Sequence, residues 1–204
     1  MGQVFPDLAK RTIHLSHGML RLPTGKMSSR SGDVIITESL IDLVKMEVKD
    51  DERVALGALK YSILHQAIGG DIIFDINKSV STEGDSGVYL QYAFARSFSI
   101  GEKAREEKMN PSEKIPDKWQ TTKLEKLLYR FPEVVAYSRE EFAPHLIVNY
   151  LTELARAYNN FYNDEQIVDK TDPSSFYKIS LNNAFSRIMK NGLYLLGIEA
   201  PERM

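Results

Sequence analysis

The chain has 204 residues, 43% hydrophobic and 26% charged, with a formal net charge of -2. This composition supplies a packed core and excludes wholesale disorder, and a near-neutral chain can meet nucleic acid only through local patches. The absence of cysteine removes disulfides, thiolate zinc sites and a cysteine nucleophile, and fits a reducing, cytoplasmic setting. The apolar runs are too short to span a bilayer and Met1-Gly2-Gln3 opens no signal peptide, so no membrane association is expected.

The first stretch, to about Val34, has little helical periodicity and many Gly, Pro and Ser residues. His14 to Leu22 alternates like an extended segment, and Pro23-Thr24-Gly25 signals a turn. Such connecting structure, with no strand-helix alternation before it, reads as the middle of a larger protein, with Met1 an artificial start. Thr37 is expected to cap a helix from Glu38 to about Val48, with Leu40, Leu43 and Val44 on one side. Asp50 and Asp51 can cap the next, which carries Val54, Leu56, Leu59, Ile63 and Leu64 and stops at Gly69-Gly70. Ile72, Ile73 and Phe74 form a short extended run.

Ser81 to Gly87 is a polar loop, and Val88 to Ile100 is apolar nearly all round, which predicts a buried central helix with a charged tail from Glu102 to Lys108. Asn110 to Lys118, with Pro111 and Pro116, is the expected exposed linker, and Trp119 packs under it. Leu124, Leu127 and Leu128 predict a helix stopped near Pro132, with another beginning at Val134, Val135 and Tyr137. The clearest stripe runs Ile147, Tyr150, Leu151, Leu154, Ala155, Tyr158, Phe161 and Tyr162. A last helix holds Ile179, Phe185, Ile188 and Met189, with Gly192 as its C-cap.

Two stretches carry candidate chemistry. Gly25-Lys26-Met27-Ser28-Ser29-Arg30-Ser31-Gly32 sets two cations and three hydroxyls on a glycine-bounded loop that could close over a triphosphate. A solvated basic turn has the same composition, and the spacing is not that of a Walker loop. In the second stretch Tyr89 and Tyr92 can share a helix face, with Arg96 one turn further. Aromatic rings at an exposed helix start, followed by Arg, suit single-stranded RNA, although for any single Tyr an amphipathic core residue is the better reading. His14, His17, His65 and His145 show no paired ligand spacing with an acidic or Cys partner, so no protein-bound metal is expected. Lys103, Arg105 and Lys108 alternate with glutamates as a solvated face.

Pro23 to Arg30 looks like the "KMSKS" signature of class I aminoacyl-tRNA synthetases, and His17 to Arg30 resembles its arginine-specific branch. Ser29 stands where that signature has a second lysine, with Arg30 adjacent. Glu83 to Arg96 resembles the "EGDTGPYLQYA-x-x-R" stretch of arginyl-tRNA synthetases, with Ser86 and Val88 replacing the usual Thr and Pro. Tyr150 to Tyr162 and Gly192 to Met204 are similar to the family's anticodon-domain helix and C-terminus, so the likeness covers almost the whole chain in order. A cysteinyl- or methionyl-type synthetase would share a helical anticodon domain, but the loop and the Tyr89 to Arg96 string lean to arginine.

The resemblance implies a mainly α protein: a DALR-type helical anticodon-binding bundle preceded by the tail end of a class I Rossmann-type catalytic domain. It implies a division into residues 1–36, the end of the catalytic domain; 37–79, a helical connection in the stem-contact region; and 80–204, the anticodon-binding domain. The family uses ATP, with Mg2+, to make an arginyl-adenylate and then esterifies its tRNA. Lys26, Met27, Ser28 and Ser29 are implied at ATP, and Lys26, Ser28, Ser29 and Arg30 in catalysis. Tyr89, Tyr92, Arg96, Tyr162 and Met204 are implied at the anticodon loop of an arginine tRNA. The upstream domain with its "HIGH"-type motif is missing, so no activity of the chain alone is expected; separately, a monomer is expected. A non-catalytic tRNA-binding module with a vestigial loop is the alternative.

Overall fold

The computed structural model describes residues 4–23 and 37–204, and these are mainly helical. A short helix α1 (Pro6–Lys10) precedes β1 (Leu20–Arg21), which lies at the end of the alternating His14 to Leu22 run. Helices α2 (Thr37–Glu47) and α3 (Glu52–Leu64) follow. Thr37 is the first helical residue of α2 rather than a flanking cap. Asp51 caps α3 as expected, its carboxylate accepting from the Arg53 and Val54 amides at 3.0 and 3.4 Å.

α3 ends at Leu64, before the expected Gly69-Gly70 stop. Tertiary contacts pull the chain away: Gly70 lies against Gly18, where an added Cβ would sit 2.3 Å from the Gly70 carbonyl. Asp71 then accepts from the Met19 amide at 2.9 Å and pairs with Arg21 at 2.6 Å. That clamp sets β2 (Ile72–Ile73) parallel to β1, with Leu20 opposite Ile72. After the single turn α4 (Ile76–Ser79), Leu40, Val44, Val54, Ala55, Ala58, Leu59, Phe74 and Val88 close one of two apolar clusters among the described residues.

The central helix α5 (Gly87–Glu106) starts where Ser86 Oγ accepts from the Tyr89 amide at 2.9 Å. Gly87 permits a close crossing over α3, since a Cβ there would fall 2.3 Å from the Gly57 carbonyl oxygen. The 110–118 linker is largely exposed but tied down, the Ser112 amide donating to Phe176 O at 2.9 Å. Trp119 is half-buried edge-on to Tyr177, with ring centroids 5.3 Å apart.

Helix α6 (Lys123–Glu140) corrects the reading of two helices divided at Pro132. Pro132 lies inside it and supplies no N–H to the Leu128 carbonyl. The apolar face continues in register through the proline, from Leu124, Leu127 and Leu128 to Phe131, Val134 and the buried Ser138, and its packing outweighs one lost hydrogen bond. Pro132→Ala is therefore expected to raise stability by up to about 3 kcal/mol in thermal denaturation. A lower melting temperature would mean that neighbouring groups have adapted to the ring.

The apolar stripe from Ile147 to Phe161 becomes the buried face of α7 (Pro144–Asp164), as its period predicts. Helix α8 (Ser175–Leu195) lies against α5, α6 and α7, and Phe185 stacks on Tyr158 with centroids 3.8 Å apart. Gly192 is not its C-cap. It sits inside α8, where a Cβ would land 2.5 Å from Leu151 Cδ2, so it admits a neighbouring side chain. The terminator is Gly197, with φ +65, whose amide donates to Tyr194 O while Ile198 N donates to Leu193 O.

Candidate nucleic-acid interface

Helices α5 and α7 pack so that residues one turn apart on each meet at a shared edge. From α5 come Tyr89, Tyr92 and Arg96; from α7 come Arg156, Asn159 and Tyr162. The Arg96 guanidinium carbon lies 4.9 Å from the Tyr92 ring centroid and 4.8 Å from that of Tyr162. Arg96 Nη1 donates to Asn159 Oδ1 at 2.8 Å, and Asn159 Nδ2 donates to the Tyr89 hydroxyl at 2.9 Å. At the rim Arg156 pairs with Asp85 at 2.5 Å, holding the loop that leads into α5.

The two tyrosines that flank Arg96 are exposed, Tyr92 at 39% and Tyr162 at 36%. Tyr89 is not: at 9% exposure its ring belongs to the core, which corrects the expectation of two exposed rings at the start of α5. The reason is the close α3–α5 crossing at Gly57 and Gly87, which draws the first turn of α5 inward. Behind Tyr162 the ring of Tyr158 lies 6.5 Å away, fully buried, and burial raises its phenol pKa so that the hydroxyl stays protonated and donates to Asn182 Oδ1 at 2.6 Å.

Met204, 49% exposed, stands apart from this cluster. The C-terminal tail runs beside α5, Glu199 O accepting from the buried Gln91 Nε2 at 2.8 Å and Arg203 facing Glu102 at 3.7 Å. The tail thus ends near the Glu102 level, roughly 9 Å along the axis beyond Arg96. Lys26, Met27, Ser28, Ser29 and Arg30 lie outside the described residues. What is described is where that segment is attached: Leu20 and Leu22 on one side, and Leu40 and Val44 of α2 on the other, join the same apolar cluster.

Two contributors escaped the sequence reading. In the sequence Asn159 stands inside the Tyr150 to Tyr162 string, and it precedes Tyr162 by the same three residues that separate Tyr89 from Tyr92. Arg156 precedes Asn159 by three more, and that helical spacing is the signal for both.

A helical bundle bearing an arginine in contact with two exposed tyrosines has the character of a domain that binds single-stranded RNA. Residues 90–204 match the DALR anticodon binding domain, and the chain belongs to that family. It is similar to the arginine–tRNA ligase of Bacteroides thetaiotaomicron, 32% identical over 97% of this chain, and to that of Borrelia turicatae, 34% identical over 94%. Among solved structures, Thermus thermophilus arginyl-tRNA synthetase superposes with a TM-score of 0.80 at 29% identity, covering 98% of this chain and 37% of that one. The Plasmodium falciparum arginyl-tRNA synthetase shares the fold, with a TM-score of 0.72 at 18% identity over 99% of this chain and 39% of that one. The chain spans 37% of the length of the Bacteroides relative and 36% of the Borrelia one. Among the described residues no helix is long and apolar enough to cross a membrane.

Proposed function

We propose that this chain holds the anticodon arm of an arginine tRNA on behalf of an arginine–tRNA ligase. The observation that carries the reading is the Tyr92–Arg96–Tyr162 cluster, exposed at the α5–α7 edge of an anticodon-binding fold. Outer ring faces offer stacking surfaces to splayed bases, and Arg offers donors to base edges or phosphate. Met204 is a further contact on the family resemblance alone, and Tyr89 contributes from beneath through its hydroxyl.

In the complete enzyme, residues 1–36 complete the catalytic domain, 37–79 connect it near the tRNA stem, and 80–204 bind the anticodon. Lys26, Ser28, Ser29 and Arg30 then stabilise the charge that builds on pyrophosphate when ATP, with Mg2+, activates arginine, and Met27 lies against the nucleotide. An upstream catalytic domain supplies the adenine and arginine sites, and the enzyme acts as a cytoplasmic monomer. The 204 residues alone are inactive in arginine-dependent ATP–pyrophosphate exchange; turnover by the purified chain would refute that division of labour.

The RNA-binding reading is tested by electrophoretic mobility of an arginine-accepting tRNA transcript at low salt. Joint Tyr92→Ala and Arg96→Ala substitution is expected to weaken binding at least about tenfold, the loss of one stacked base and one charged contact. No shift with the unaltered chain, or an unchanged shift with the double variant, removes the assignment.

A further inference from the structure

The Arg96 guanidinium carbon lies 4.9 and 4.8 Å from two ring centroids, those of Tyr92 and Tyr162, and a cation held against ring faces offers a further ligand its N–H edge. Stacking fixes the plane of a guanidinium but tolerates rotation within that plane. A hydrogen bond in the plane removes this freedom, and Arg96 has one, to Asn159 Oδ1 at 2.8 Å. Asn159 is in turn fixed through its Nδ2, which donates to the Tyr89 hydroxyl at 2.9 Å. Tyr89 is buried, and its amide is held by the Ser86 cap at 2.9 Å. A chain of contacts therefore runs from the core, through Tyr89 and Asn159, to the outward donors of Arg96.

We propose that Asn159 and Tyr89 are positioning residues, which set the Arg96 fork for in-plane contact with paired acceptors of a single-stranded nucleotide. The inference rests on the RNA-binding reading above. It explains why a tyrosine with a core ring keeps its hydroxyl at the edge of the site, and why α7 places an amide between two aromatic positions. An unoriented arginine would still attract phosphate, but it would present its donors in many rotations and lose the bidentate geometry that selects acceptor pairs.

The test is a double-mutant cycle on the 204-residue chain, titrated with an arginine-accepting tRNA transcript. With Arg96 present, Asn159→Ala is expected to weaken binding about tenfold and Tyr89→Phe, which keeps the ring, about threefold. In an Arg96→Met background each change is expected to cost less than about twofold, because there is no fork left to orient. Equal losses in both backgrounds overturn the proposal, since they would mean direct contact or a general structural role. If Asn159→Ala lowers the melting temperature, the Tyr89→Phe cycle decides alone.

The acceptor's source is read from the same variants. A base edge confines the losses to the native anticodon-loop sequence, whereas a phosphate gives losses for every sequence, and Arg96→Met then makes the salt slope smaller by about one. Absence of binding by the unaltered chain removes the RNA reading itself. Binding with additive losses removes only the positioning role.

Discussion

Lys178→Met is expected to lower the unfolding free energy by about 3 kcal/mol, and the melting temperature by roughly 6–12 °C. The Lys178 side chain is 7% exposed, and its ammonium pairs with Glu165 and Asp172 at 2.5 and 2.8 Å. Burial alone would push its pKa down, yet the hydrogen bonds it donates to the two carboxylates hold it above the ordinary 10.5. Removing the cation leaves two partly buried carboxylates facing each other, and this uncompensated charge dominates the loss. The carboxylates keep some access to water, which places the expected value at the low end for broken buried pairs.

The same cluster makes an acid limb. The Lys178 hydrogen bond, then those from Ser174, hold Asp172 down to about 2 against an ordinary 3.8. A carboxyl depressed on folding stabilises above its unfolded value and loses that contribution as pH falls through its folded value, so stability should decline between about pH 4 and pH 2. Lys178, raised on folding, contributes fully below 10.5 and less as pH climbs beyond it. Denaturant midpoints measured from pH 7 to pH 2 should show the limb in the parent and a shallower one in Lys178→Met. Equal limbs in the two proteins would place the acid sensitivity elsewhere.

Much of the bundle is legible in local sequence because its elements obey one period over several turns. The α7 stripe is the clearest case, since each of its apolar residues from Ile147 to Phe161 is buried. Misreadings arise where one residue has two physical uses. Pro132 reads as a stop because the interior of a helix normally rejects it, but the apolar face continues in phase on both sides. Gly192 reads as a C-cap because glycine favours helix ends, but here its missing side chain makes room for Leu151, and the left-handed position falls to Gly197. The site divides in the same way. Tyr92, Arg96 and Tyr162 can be picked out from residue type and resemblance, whereas the burial of Tyr89 and the bridge through Asn159 exist only once α5 and α7 are packed together.

Gly87→Ala and Gly101→Ala lie in the same helix and should move stability in opposite directions. At Gly87 the new Cβ would meet the Gly57 carbonyl oxygen at 2.3 Å and its carbon at 2.7 Å. These are backbone atoms of α3 and cannot turn aside, so α5 must lift away, with an expected loss of about 2–3 kcal/mol. The lifted turn includes Tyr89, so the Asn159 bridge lengthens and tRNA affinity should fall as well, although Gly87 itself packs on Gly57 and Tyr61. At Gly101 the nearest atom is Asn183 Oδ1 at 3.5 Å, an ordinary contact. Alanine there relieves a glycine in a helix interior and should add about 0.5–1 kcal/mol. Thermal melts and tRNA titrations of the two variants check both parts. If Gly87→Ala destabilises the chain and leaves tRNA affinity intact, the α3–α5 crossing supports the core alone, and the α5–α7 edge is set by α7 and α8 without it.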